Sequence, residues 1–359
     1  MSTNMSEKKK SPWKIALTII TFGALVITGY AIRHQIVDTF RNLHHVNIWL
    51  VLLIIPLEAL NYHAQTKLYQ GLFNVLDEKI PYRFMYRASL ELNFVNNVFP
   101  SGGVSGFSYF SLRMKSQGIS TGKSSLIQLM KLVMVFISFQ ILLVVGLLLL
   151  AIGGHVSDLV ILIAAFLVTL LLVSTSIIAF VIGSKSRINS FFIYVTRLIN
   201  RFIHIFRREH PETLNIQKAH ETFTELHENY LHLRRRLKEL RRPLFYGVIA
   251  NLTEIGAIYV VYLAFGHRVN PGAVIIAYAI ANFAGLVSVL PGGVGIYEGL
   301  MTGTLAASGV KAALSLPVTI MYRIVNFAIQ MPVGYFFYQK ALQANPIQPA
   351  FDSRLDDSL

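Results

Sequence analysis

The chain contains no cysteine. That excludes disulfides, thiolate metal sites and a cysteine nucleophile, and it leaves the redox compartment unread. Charge is also scarce: Asp, Glu, Lys and Arg make up only 14% of 359 residues, against about a quarter in soluble domains. Acids are the scarcer sign, 18 against 32 Lys and Arg, for a net charge of +14. The shortage of charge is concentrated. Ile15 to Ile32, Leu132 to Ser157, Leu159 to Ser184 and Val269 to Tyr297 hold no Asp, Glu, Lys or Arg at all. A helix needs about 20 apolar residues to cross the hydrocarbon core of a bilayer. Soluble cores rarely supply even one such run, so the chain reads as an all-α, polytopic membrane bundle.

Enzyme signatures are equally sparse. There is no His-Glu-x-x-His, and His44, His45 and His63 have no metal-ligand spacing. Gly118 to Ser124 is one residue short of a phosphate-binding loop and follows no strand. No metal and no cofactor is expected, and a catalytic role is not.

What is present is a set of apolar stretches. Six full spans are expected at about 14–32, 46–66, 124–152, 157–183, 244–266 and 314–339. Two further stretches, 84–112 and 272–310, are interrupted by Gly and Pro. The first span follows Lys8, Lys9 and Lys10 but lacks a small-residue cleavage site, so it is read as retained. Residues 1–343 form one transmembrane domain in this reading, with a disordered tail at 344–359.

The Lys/Arg bias sets the orientation. With the N-terminus in the cytoplasm, only Arg33, Arg41, Arg268 and Lys311 fall outside, while the insert 185–242 alone carries thirteen Lys and Arg on the inner side. Both termini are thus expected to be cytoplasmic, in the cell membrane. The positive charge is a topology signal with attraction to anionic lipid, and nucleic acid is not an expected partner. Within the insert, Ile188 to Phe206 has the spacing of an interfacial amphipathic helix. Ala219, Phe223, Leu226, Tyr230, Leu233, Leu237 and Leu240 form a heptad seam. The seam can pack on the preceding amphipathic helix, on a partner, or on a second copy of the chain.

The two broken stretches resemble each other. One reads Asn93-Phe94 and then Asn96-Asn97-Val-Phe-Pro100-Ser-Gly102-Gly103-Val-Ser-Gly106; the other reads Asn282-Phe283 and then Leu290-Pro291-Gly292-Gly293-Val-Gly295-Ile-Tyr-Glu298. Pro removes a backbone donor and paired glycines invite turns. Such breaks survive at membrane depth only where protein or a wet cavity satisfies the backbone. Under the charge-derived topology the first break enters from the cytoplasm and the second from outside. Oppositely oriented broken helices are the sequence pointer to a transporter site. Ordinary surface loops are the competing reading, and 272–310 could equally hold two full spans.

At these residues the sequence resembles the flippase-type membrane domain of bacterial lysylphosphatidylglycerol synthases and their free-standing relatives, the UPF0104 proteins. The stronger match is Leu290 to Glu298, close to that family's Pro-Gly-Gly-x-Gly-x-x-Glu element; the weaker is Asn96 to Pro100. Many members carry an acid and an Arg soon after the first Pro; here Ser105 to Ser108 has no acid and only Arg113 is basic. The resemblance implies translocation or binding of a lipid, without lysyl transfer.

The expected function is a flippase moving an anionic or polar-headed lipid between leaflets. The alternatives are a membrane-embedded transferase on a lipid, or a scaffold binding a partner through the 212–241 helix. The substrate-binding candidates are Asn96, Asn97, Pro100, Gly102, Gly103, Arg113, Asn282, Pro291, Gly292, Gly293 and Gly295. Intramembrane charge marks function by default. Glu254, Glu298 and Arg323 lie deepest, Glu58, Glu91 and Lys131 nearer the interfaces, and Arg323 is expected to pair with Glu298 first and Glu254 second.

Overall fold

The computed structural model describes residues 46–99, 104–153, 158–184, 186–187, 190, 216–287, 293 and 295–344. The expected span 14–32, most of the amphipathic half of the insert, the tail, and Pro100, Gly102, Gly103, Pro291 and Gly292 lie outside the described residues. Among the described residues all regular structure is helical. In order these are α1 (Ile48–Leu52), α2 (Ile54–Val75), α3 (Tyr82–Val98), α4 (Val104–Lys115), α5 (Thr121–Ile152), α6 (Asp158–Ile182), α7 (Ile216–Arg235), a 3₁₀ turn (Leu237–Leu240), α8 (Arg241–Ala264), α9 (Pro271–Val287), α10 (Ile296–Ala307) and α11 (Ala312–Ala344).

Ile48–Val75, Thr121–Ile152, Asp158–Val181, Leu237–Ala264 and Ala312–Ala344 are long and apolar enough to cross a membrane. They correspond to five of the six expected spans. Both broken stretches appear as helix pairs, α3 with α4 and α9 with α10, and each pair packs on itself. At 12 residues each, α4 and α10 are about 18 Å long, well short of the roughly 30 Å hydrocarbon core.

The packing partners repeat across the two halves. Helix α2 runs antiparallel to α8: Asn47 N–H donates to Ala264 O, Asn61 reaches Ala250 O, and Pro243 lies against Gly71. Helix α3 runs antiparallel to α11, with Asn93 meeting Gln330 and Arg87 over the Phe337 ring. Helix α9 runs antiparallel to α5, with Gly272 against Gly146 and Phe283 against Phe136. Each broken pair therefore docks its first limb on the long helix of the opposite half, the packing an inverted repeat requires. Two large apolar clusters fill the bundle. One gathers around Tyr262, Ile276 and Met301, the other around Phe73, Phe110 and Leu126.

The heptad seam packs within the chain, and the amphipathic stretch before it lies mostly outside the described residues. Leu226, Leu233 and Leu240 are buried in the second cluster against α5 and its neighbours, whereas Leu237, also expected on the seam, is exposed because the chain tightens there into the 3₁₀ turn. The reason for this packing is polar anchoring at both ends. Glu225 accepts from Ser120 Oγ and, at 3.3 Å, from Gly122 N–H, so it caps the start of α5. At the other end Asp77, held at φ 59°, accepts from Arg236 at 2.6 Å and lies 3.1 Å from His232.

The Arg236 hydrogen bond, with the charges of Arg236 and His232, holds the Asp77 carboxyl below its usual range. A depressed folded-state value adds stability that is present above the unfolded-state value of about 4 and lost as pH falls through the folded one. Protection of the Leu233–Leu240 amides from hydrogen exchange, corrected for intrinsic rates, is therefore expected to decline on acidification below about pH 4. In Asp77→Asn that decline should vanish. An equal acid-induced loss in the variant would remove Asp77 from this role.

Candidate functional site

Between the two apolar clusters lies a band of polar side chains, and α11 is its spine. Arg323, Asn326 and Gln330 recur at steps of three and four on one face of α11. Gln330 donates to Glu58 of α2 at 2.8 Å, and also to Asn326. Asn93 of α3 donates to Gln330 at 2.5 Å and to the Tyr62 hydroxyl at 2.7 Å. Asn97, one turn nearer the first break, donates to Asn93 O at 3.0 Å. In the other direction Asn326 donates to Tyr322 at 3.0 Å and to Glu254 of α8 at 3.4 Å, and Tyr322 donates to Glu254.

Arg323, one turn before Asn326, pairs with Glu298 at 2.5 Å, with both side chains buried. Its guanidinium also lies over Tyr297, 5.0 Å from the ring centre, and over Phe327. Glu298 is fixed from its other side, accepting from Gly295 N–H at 2.7 Å. Gly295 stands at φ 86°, a left-handed conformation that a Cβ would strain. That conformation turns the chain into α10 and aims its amide at Glu298. Polar side chains thus line the way from the base of the first break, through Asn97, Asn93, Gln330 and Asn326, to Arg323 and Glu298 at the base of the second, with Asn326 and Arg323 standing one turn apart on α11. From Arg323 to Gln330 it covers about 10 Å of helix.

The expected first choice of partner for Arg323 is the one observed. Glu254, the second choice, takes Tyr322 and Asn326 instead. Arg113 lies at the first hairpin, where its Nε meets Glu91 at 2.8 Å and its plane covers Phe84. Tyr109 donates to the same carboxylate at 2.8 Å. Arg113 is thus paired with an acid that precedes the break rather than follows it. Asn96 is exposed and sits against Gly106, its Oδ1 filling the space a Cβ there would need. Asn282 donates to Tyr278 O at 3.0 Å within α9. Gly293 is buried. Lys131 is in mid-helix, its ammonium 4.9 Å from the centre of the Tyr69 ring. No group of His, Asp and Glu able to hold a metal occurs among the described residues.

The sequence reading missed Asn93, Tyr322 and the Glu58–Gln330 contact as members of the site. One signal was present. Glu58-x-x-Asn61 and Asn251-x-x-Glu254 are mirror images in order. Antiparallel α2 and α8 bring Glu level with Glu and Asn level with Asn. Asn61 donates to Thr253 at 3.0 Å and Asn251 donates to Ser138 at 2.8 Å, so both amides pin neighbouring helices.

Comparison with known proteins is consistent with this architecture. A UPF0104 membrane protein of Pyrococcus horikoshii, PH1989, is 28% identical over 136 residues, 36% of this chain and 41% of the relative. A UPF0104 membrane protein of Methanothermobacter thermautotrophicus is 27% identical over 158 residues, 40% of this chain and 47% of the relative. The chain therefore aligns with less than half the length of these relatives. The model of the lysylphosphatidylglycerol synthase TM region matches residues 13–334, which takes in both hairpins and every residue of the polar path. The chain belongs to the lysylphosphatidylglycerol synthase transmembrane-region family.

Proposed function

We propose that this membrane protein moves an anionic or polar-headed lipid between the two leaflets, and that it is a transporter rather than an enzyme. The observation that carries this reading is the polar path along α11. A lipid headgroup crossing the hydrocarbon core needs polar partners throughout, and the path offers amides, a phenol, carboxylates and one arginine from hairpin to hairpin. Arg323 takes a phosphate in bidentate fashion when it leaves Glu298. The scaffold alternative loses support because the heptad seam is occupied by the chain's own α5. The test is reconstitution into vesicles carrying a fluorescent phospholipid, with an impermeant quencher reporting the exposed leaflet. Protein-dependent exchange between leaflets is the expected result. Exchange no faster than in empty vesicles, across anionic and zwitterionic headgroups, would end the proposal.

The orientation belongs to the same proposal. The end of the bundle bearing Lys67, Lys79, Arg83, Arg113, Lys123 and Arg234 to Arg236 faces the cytoplasm, and the end bearing Arg268 and Lys311 faces outward. Since the chain has no cysteine, single substitutions test this directly. Glu228→Cys in intact cells should resist an impermeant maleimide, and Ala313→Cys should react. The opposite pattern would invert the topology.

A further inference from the structure

At the lysine-poor end of the bundle a cavity of about 700 Å³ opens between the ends of α5, α8 and α10 and the starts of α9 and α11. Its polar lining includes His267, Arg268, Asn270 and Lys311, and its apolar lining includes Leu150 and Leu314. No carboxylate lines it among the described residues. The polar path just described does not reach it: Arg323 lies more than ten residues along α11 from Lys311, about 17 Å of helix.

Three observations give this cavity a ligand class. The first is the distribution of charge. Topology selects against Lys and Arg at this end, yet Arg268 and Lys311, 43 positions apart in sequence, are brought to one cavity. Neither forms a salt bridge within 4 Å of a described carboxylate. The second is that the floor is built rather than left over. Asn270 accepts from Gly272 N–H at 2.8 Å and donates to Leu149 O at 3.2 Å, tying the start of α9 to the end of α5. Gly153 has no room for a Cβ, which would stand 2.4 Å from Asn270 Nδ2. The third is the wall. Arg268 and Lys311 share this lining with Leu150, Val269, Val310 and Leu314, a combination that suits an amphiphile with an anionic head and an apolar body.

We infer that this cavity is a docking site for the headgroup of a lipid of net negative charge in the adjacent leaflet, with Arg268 and Lys311 taking a phosphate whose charge no headgroup cation offsets and the apolar lining taking the base of the chains. The inference deepens the transport reading by giving the substrate a waiting place at one end of the path, and it rests on that reading for its role. The binding itself is an equilibrium property that needs no translocation, so it can be tested when transport is absent.

The experiment uses the full chain carrying Ala313→Cys, a cavity-lining and exposed position, in nanodiscs. The readout is the rate of modification by a small maleimide. Nanodiscs containing phosphatidylglycerol should slow labelling about fivefold or more relative to phosphatidylcholine alone, as a mostly occupied site requires. Adding Arg268→Gln and Lys311→Gln should abolish the protection, read as the ratio of labelling rates in the two lipids, since loss of the cations also lowers the intrinsic reactivity of the thiol in both. A control cysteine at Glu228, at the other end of the bundle, should show no such dependence on Arg268 and Lys311. Inorganic phosphate in phosphatidylcholine nanodiscs distinguishes the sources of the anion. Protection by inorganic phosphate equal to that by the lipid would overturn the lipid assignment. Equal labelling in the two lipids, or protection that survives the double substitution, would overturn the site.

Discussion

Arg323→Lys is expected to leave the bundle folded and to slow leaflet exchange by about tenfold or more, the loss of roughly 1.4 kcal/mol of interaction with the moving headgroup. Lysine keeps the charge that Glu298 requires but gives up the planar fork that binds a phosphate at two points. It also gives up the stacking of a guanidinium between Tyr297 and Phe327. Removing the charge is a different experiment. Arg323→Ala leaves the buried Glu298 without its cation, and breaking a buried pair from one side costs about 3–5 kcal/mol. That variant should accumulate poorly and says nothing about transport.

The informative companion is the neutral pair Arg323→Met with Glu298→Gln. The glutamine can still accept from Gly295 N–H, and no charge is stranded, so the protein should fold. If Arg323 serves the headgroup, this folded double variant is inactive in vesicles. If it moves lipid like the parent, the pair only holds α10 to α11, and the assignment of Arg323 to the site fails. Glu298→Gln alone tests the release step. The single variant also breaks the buried pair from one side, so it should accumulate less well than the double variant. In the fraction that folds and reconstitutes, any pH dependence of exchange seen in the parent should flatten, because an amide cannot take the proton that a carboxylate freed from Arg323 can.

The features that were legible in the sequence are those that depend on local composition. Leu132 to Ile152 carries no charged residue, and the whole stretch lies within a single helix. Pro100 and Pro291 with their paired glycines fall between helix ends at Val98 and Val104, and at Val287 and Ile296. The Arg323–Glu298 contact was also within reach, because the two residues sit on consecutive helices and a buried Arg needs an acid. What stayed hidden depends on which helix lies beside which. Asn93 and Gln330 are 237 positions apart, and Glu58 and Gln330 are 272 apart. Nothing local marks those pairs. The heptad seam illustrates the converse problem. Its spacing correctly marks Leu226, Leu233 and Leu240 as an apolar face, but spacing does not name the surface that covers it. Glu225 on Ser120 and Arg236 on Asp77 decide that, and each is a contact across more than a hundred residues.

Gly272→Val should be among the most damaging single changes in the chain, because it strikes the seam that holds the second hairpin in place. A Cβ at Gly272 would lie 2.4 Å from Gly146 O and 2.9 Å from Leu150 N. Both atoms belong to backbone, so neither can rotate aside, and α5 and α9 must separate. Close backbone approach at small residues is a main source of helix association where lipid is as apolar as the side chains. The expected loss is about 3 kcal/mol, at the upper end for overpacking. Gly146→Ala meets Ile275 Cγ2 and Ile276 Cγ1 at 3.0 Å and Gly272 O at 3.3 Å, contacts that need shifts of a few tenths of an ångström, and should cost nearer to about 1 kcal/mol. Gly303→Ala provides the contrast. It is exposed within α10, has nothing within 4 Å of its Cβ position, and should be neutral or stabilising by up to about 1 kcal/mol. Thermal unfolding of the three variants in one detergent gives the ranking. Displacing α9 also shifts α10, and with it Glu298, so leaflet exchange in the surviving Gly146→Ala protein should fall further than its stability does. Should Gly272→Val unfold at the temperature of the parent, the antiparallel seating of α9 on α5 is wrong, and the paired-hairpin architecture loses one of its two supports.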